Sequence, residues 1–302
     1  MSTIEHRAEP SSADIELLLA KVGLGEGGLR SLQRVLSLVL DLSSERPVEL
    51  ARSEQLLPAL TRANAQLEDT LVELRAEVAS LEAQLPHCQT RRAKQLLEAK
   101  IKDKRWTCHD IVVGSGCASC DGSLFVLPMQ AIQRIAACPE AHAALKSSSL
   151  FRFLGDVVSR RGADAKPRRS AALQLLLSST TAAELMGAGL CDPVVECLRS
   201  DLELELVTDT GVERTLSLQC LLRVGEGGGE RATTELSVLG VKELAMRAVR
   251  AGLRPDNGLR ADCGACVQPA LALVQQLSSS LPRPPEQGAL AINSAWRDWN
   301  GL

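Results

Sequence analysis

The chain has no tyrosine, three phenylalanines and three tryptophans, so aromatics make up 2% of its 302 residues. A core of ordinary size must then be aliphatic, and 45% of the chain is hydrophobic, chiefly Leu, Val and Ala. Strand-favouring residues are scarce beside Leu and Ala, which predicts helices throughout. No run of about 18 uncharged apolar residues occurs. The polar, acidic start at 1–12 carries no hydrophobic leader region. These absences argue against a membrane partner and for a soluble protein of the cytoplasm or nucleus. The net charge of −3 and pI of about 5.9 provide no global excess for nucleic acid or an anionic surface.

Catalytic patterns are missing as well. GxSxG, HExxH, P-loop and Rossmann fingerprints do not occur. The glycine-rich 25–28 is followed by no GK[ST] and preceded by no strand. The four histidines (His6, His87, His109, His142) have no neighbouring carboxylate or nucleophile in a recognisable pattern. We therefore expect no enzyme and no cofactor. Ten cysteines without a secretion signal read as reduced thiols rather than a disulfide framework. The densest group, Cys108-His109 with Cys117-Ala-Ser-Cys120, is a candidate zinc site, because paired thiolates and an imidazole can share one tetrahedral ion. The second CxxC, Cys263 to Cys266, is separated from the first by 142 residues (121 through 262), far from ordinary zinc-finger spacing. Loose spacing makes a metal-free cysteine loop the expectation.

What the chain does have is leucine at regular intervals. Leu60, Leu67, Leu74 and Leu81 recur every seven residues, with Asn64, Leu71, Val78 and Leu85 between them. The steps alternate four and three, the 3.5-residue period of a coiled coil. The stretch contains no Gly or Pro and stops at Pro86. Asn64 at an a position can pair with its copy across a dimer, or lie solvated near the helix start. The expectation is a homodimer through these eight residues, with packing against the chain's own helices as the alternative. The following piece, 89–106, is basic: Arg91, Arg92, Lys94, Lys100, Lys102, Lys104 and Arg105 against Glu98 and Asp103. It can touch acidic partners, remain solvated, or fold back over the acidic leucine helix through 86–88.

From 127 onward the chain repeats. Ala131-Ile132-Gln133, Ala172-Leu173-Gln174 and Ser217-Leu218-Gln219 are spaced by 41 and 45 residues, and each is expected to open an aliphatic helix. Later amphipathic helices are expected at 151–158, 193–198 and 241–249. In 183–198 a short helix ends at glycine, with Asp192 as cap and Pro193 as first helical residue of the next. Ser31-Leu32-Gln33 and the run into Pro58 echo the pattern. Leu271, Leu273, Val274 and Leu277 mark a terminal helix, and Trp296 and Trp299 a tail.

A period of about 40–47 residues with two or three helices per unit resembles the armadillo/HEAT superfamily over 127–281, and again over 29–60. The resemblance implies an all-α fold: an armadillo-like α-solenoid carrying a long leucine-zipper-like coiled-coil helix. The expected parts are an N-terminal helical unit (1–57), coiled coil plus basic helix (58–105), Cys/Gly-rich linker (106–126), repeats (127–281) and tail (282–302). It also implies a scaffold binding a peptide along the third helices. Their cations, Arg152, Arg160, Arg199, Lys242, Arg247 and Arg250, favour an acidic or amphipathic protein segment. No third helix carries asparagine, unlike members with an asparagine ladder. A coiled coil ahead of an armadillo domain is similar in arrangement to the heat shock factor 2-binding protein family, meiotic proteins that dimerise and engage recombination factors. A nucleic-acid-associated or zinc-containing accessory factor is the alternative.

Overall fold

The computed structural model describes residues 17, 19–20, 28–112, 123–147, 149–204, 211–253 and 265–279. These form fourteen α-helices and, among the described residues, no strand. None of these helices is long and apolar enough to cross a membrane. Of the expected N-terminal helix through Val22 only residues 17, 19 and 20 are described, all helical with Leu19 buried. The glycine-rich loop ahead of Gly28, Cys117, Cys120, Cys263 and the Trp296/Trp299 tail lie outside the described residues. The chain divides into two compact units, 1–179 and 180–302, so the boundary falls inside the stretch expected to hold the repeats.

In the first unit, α1 (Gly28–Glu45), α2 (Pro47–Arg52) and α3 (Leu56–Gln84) run in succession. α1 buries Leu32, Leu36, Val39 and Leu42, an i, i+3, i+4 stripe that faces the core. α2 opens on Pro47, whose missing N–H needs no partner in the first turn. α3 begins two residues before the expected Pro58, which still sits in the first turn. Pro86 stops it in a single 3₁₀ turn, and α4 (Arg91–Val112) returns along it. Thr90 caps α4, its Oγ accepting the Ala93 N–H at 3.2 Å.

A second triplet follows: α5 (Leu127–Ala136), α6 (Pro139–Ser147) and α7 (Leu150–Val158). Its members pack on their counterparts in the first triplet, α5 on α1, α6 on α2 and α7 against α3. α8 (Lys166–Ser179) packs on α5 and α7 and ends this unit. The shared core is aliphatic, as the composition requires: Leu36, Leu50, Leu60, Ile132, Leu150 and Leu154 are all essentially inaccessible.

The second unit holds α9 (Ala182–Gly187), α10 (Cys191–Leu204), α11 (Val212–Gly227), α12 (Gly229–Val238), α13 (Val241–Gly252) and α14 (Val267–Ser279). α11 is its hub, packing on α9, α10, α12 and α14 through Leu218, Cys220, Leu221 and Val224. α9 carries a capping box: Thr181 Oγ1 accepts the Glu184 N–H at 3.3 Å, and Glu184 Oε2 accepts the Thr181 N–H at 2.8 Å. Gly189, at φ +67, turns the chain into α10. α10 starts one residue before the expected cap, so Asp192 and Pro193 occupy its first turn, where a negative charge meets the positive helix end. Gly228 between α11 and α12 has no room for a side chain, since a Cβ there would lie 2.7 Å from the Val224 carbonyl oxygen and 2.4 Å from Ala232 Cβ.

Three expectations need correction. The repeated triplets do not open their helices but lie within them, because Pro128, Pro167 and Gly211 start those helices four to six residues earlier. Two stretches between the expected helices contain short helices of their own, α6 and α12, whereas α9, ending at Gly187, is the short helix expected there. In α14, Leu271 is half exposed, and Ala270, Leu273 and Leu277 form the buried face.

Candidate functional site

The leucine helix meets two environments. Leu60, Asn64, Leu67 and Leu71 are enclosed within their own chain, where α3 packs against α1, α5 and α7. Asn64 is neither solvated nor paired: both its amide nitrogen and oxygen are buried without a hydrogen-bond partner. Beyond Leu71 the helix runs along α4, and Leu74, Val78, Leu81 and Leu85 stay half-buried. The hairpin through 86–88 is therefore formed. Lys104 pairs with Glu77, and Arg105 Nη2 reaches Glu82 Oε1 at 2.5 Å.

Charge alone does not explain why α4 settles there. Leu97, Ile101, Lys104, Cys108 and Ile111 repeat at steps of four, three, four and three, and these are half-buried or buried positions. They form an antiparallel counterpart to the leucine seam. The basic residues between them obscured this second heptad in the sequence. Ile111 also fixes the far end of the hairpin, its carbonyl accepting the Ser123 hydroxyl at 2.7 Å.

Where α3 approaches α7 and α8, acids and arginines interlock. Glu68 accepts from Arg168 Nη2 at 2.6 Å and from Arg160 Nη1 at 3.0 Å. Arg168 is 2% exposed and lies over the Phe125 ring, 4.2 Å from its centroid. Burial pushes its pKa below the ordinary arginine value despite the Glu68 hydrogen bond. Its neighbour Arg169 donates to the carbonyls of Arg160 and Gly162 at 2.6 and 2.9 Å. Arg75 grips Asp164 with both terminal nitrogens, 2.6 and 2.9 Å, and that hydrogen bonding raises its pKa. One signal for this clasp was available: Arg168 lies four residues before Ala172 and seven before Leu175, on the buried face of α8.

In the second unit the corresponding feature is a buried polar group between α10 and α11. Glu213 is fully enclosed and accepts the Cys197 thiol at 3.2 Å, while Arg214 Nε donates to Asp201 Oδ2 at 2.9 Å. These residues link the two helices.

The six expected partner-binding cations fall in both units. Arg152 is exposed on α7, while Arg160 is engaged with Glu68. Arg199 on α10 pairs with Glu196 of its own helix. On α13, Arg247 and Arg250 are exposed and Lys242 is half-buried.

Of the zinc candidates, Cys108 and His109 lie on α4. Cys108 is half-buried, and burial raises its pKa against the opposing pull of Arg75 and Lys104. His109 packs edge-on to Trp106 at 6.2 Å between ring centroids. Among the described residues no group of three or more His, Cys, Asp or Glu is placed to hold a metal ion. No family model, curated protein or solved structure matches the chain.

Proposed function

We propose that this protein is a non-enzymatic adaptor whose helix triplets form an armadillo-like surface for an acidic or amphipathic segment of a partner protein. One observation carries the reading: in the first unit, α1, α2 and α3 pack on α5, α6 and α7 as first on first, second on second and third on third. Register-matched stacking of this kind is how helical repeats bury faces that no single repeat can bury alone. Within each unit the third helices supply the cations that a ligand meets, Arg152 on α7 in the first, and Arg199 on α10 with Arg247 and Arg250 on α13 in the second. Each such rim charge contributes at most about 1 kcal/mol, so specificity comes from several together. A homodimer through the leucine seam does not follow from this packing, since four of its eight residues are enclosed in cis.

The test is affinity capture with and without nuclease, followed by the double charge reversal Arg199→Glu with Arg247→Glu. The adaptor reading expects nuclease-resistant partners whose binding weakens and loses salt dependence in the variant. Partners released by nuclease, or binding indifferent to the reversal, would contradict it.

A further inference from the structure

The α3–α4 hairpin leaves more apolar surface uncovered than a two-helix pair needs. Of the 22 residues of α4, only Ile101 and Ile111 are buried. Leu96 is 61% exposed and Trp106 53%. Between the two helices runs a groove of about 510 Å³ whose apolar lining is Leu85, Ile101 and Trp106, with Glu82, Lys102 and Arg105 among its polar residues.

The charges around it select an occupant. α4 carries seven basic and three acidic side chains, a net +4. Only Lys104 and Arg105 are used in pairs with α3; Arg91, Arg92, Lys94, Lys100 and Lys102 have no ion-pair partner among the described residues. Glu98, also on the groove, precedes Lys102 by one helical turn, a spacing at which the two charges offset each other. A second copy of this chain would bring another α4 of the same sign against the first. Nucleic acid would gain from the cations but would meet an apolar groove flanked by Glu82 and Glu98. An amphipathic helix with an acidic face satisfies both the apolar lining and the unpaired cations.

We propose that this groove docks an acidic amphipathic helix of a partner protein. Its apolar stripe lies on Leu85, Ile101 and Trp106, and its acids face Lys102 and, on the same helix face about two and three turns earlier, Lys94 and Arg91. The product is a three-helix coiled coil, with apolar anchors on the incoming helix at i, i+3, i+4 and i+7. Trp106 is its expected hot spot, being large, rigid and half exposed at the groove. This site is separate from the triplet surface and does not rest on it.

The experiment uses the full chain and two synthetic helical peptides with the same leucine heptads. One carries glutamate at the remaining positions, the other lysine. Fluorescence anisotropy of labelled peptide reports binding. The acidic peptide should bind, the basic one should not, and salt should weaken the complex. Trp106→Ala should weaken binding roughly tenfold, with partial rescue by Trp106→Phe. The pair Lys94→Glu and Lys102→Glu should weaken it and flatten the salt dependence, while the helical circular dichroism and melting stay unchanged. Arg199→Glu with Arg247→Glu should leave it untouched, so that failure here and failure of the triplet surface are separable. The proposal is overturned by equal binding of both peptides, by no binding of the acidic one, or by indifference to Trp106→Ala. Duplex DNA displacing the peptide would overturn it too, as would a dimer of the chain that Trp106→Ala dissolves.

Discussion

Leu60, Asn64, Leu67 and Leu71 on the first half of α3 are at most 4% exposed, whereas Leu74, Val78, Leu81 and Leu85 on its second half remain half-buried. The heptad continues without a break between them. What differs is the number of helices laid against it: α1, α5 and α7 near the start, and α4 along the remainder. A heptad therefore specifies a face to be covered without naming what covers it. In this chain the first half is absorbed into stacked triplets, and the second half is matched by a heptad from the same chain.

The largest expected difference between enclosed and open positions is chemical. Burial pushes the Cys191 and Cys220 thiols up to about 12, whereas Cys88 near the hairpin turn is half-buried. A shift from 9.0 to about 12 lowers the thiolate fraction about a thousandfold, so iodoacetamide at mildly alkaline pH should label Cys88 long before Cys191 or Cys220. The sign for stability follows. The fold favours the neutral thiols, so their contribution is intact below pH 9.0 and is lost as pH rises from 9.0 towards about 12. Equal labelling rates in the native protein would contradict the burial.

Core truncation comes next. Leu67→Ala should cost about 2–5 kcal/mol in urea denaturation, because a fully enclosed leucine leaves a cavity. Leu81→Ala on the half-covered stretch should cost about 1 kcal/mol or less, since water fills the space. Equal costs would break the contrast. Glu68→Gln should cost about 2 kcal/mol, because it leaves Arg168, 2% exposed, with a weaker partner for its charge. Asn64→Leu should go the other way and stabilise by about 1–2 kcal/mol, since it removes two buried polar atoms that pair with nothing. A loss of stability there would mean that the amide has a role this packing does not explain. The smallest effect belongs to the exposed hairpin: a double-mutant cycle on Glu77 and Lys104 should give below about 1 kcal/mol and shrink with salt.

These contrasts also mark what could be read from residues alone. Helical content followed from composition, and two of the later helices of the repeats, α7 and α13, were legible because each is a clean amphipathic run; α10 runs six residues beyond its expected end. α7 starts one residue before its expected span, and α13 starts on its expected first residue and runs three residues further. The short α9 was legible from the glycine that ends it, and its start is fixed by Thr181 and Glu184 three residues apart, a capping box. The partner of the leucine helix was not legible from charge: the α4 seam includes Lys104 and Cys108, so it does not stand out as apolar. The Glu68–Arg168 clasp joins residues 100 apart in sequence, and no local pattern predicts which carboxylate an inward-facing arginine will find. Buried Glu213 was missed for the same reason, its thiol partner lying on another helix.

The central claim, one heptad covered in two ways within a single chain, is tested most directly by native-state amide hydrogen exchange along α3. Amides of residues 60–71 should exchange only through the global unfolding of the first unit. Those of 74–84 should exchange through a lower-energy opening in which α4 leaves, with a free energy that falls further on Ile101→Ala. Uniform protection along the whole helix, or protection of 74–84 that rises with protein concentration because a second copy covers it, would contradict the account.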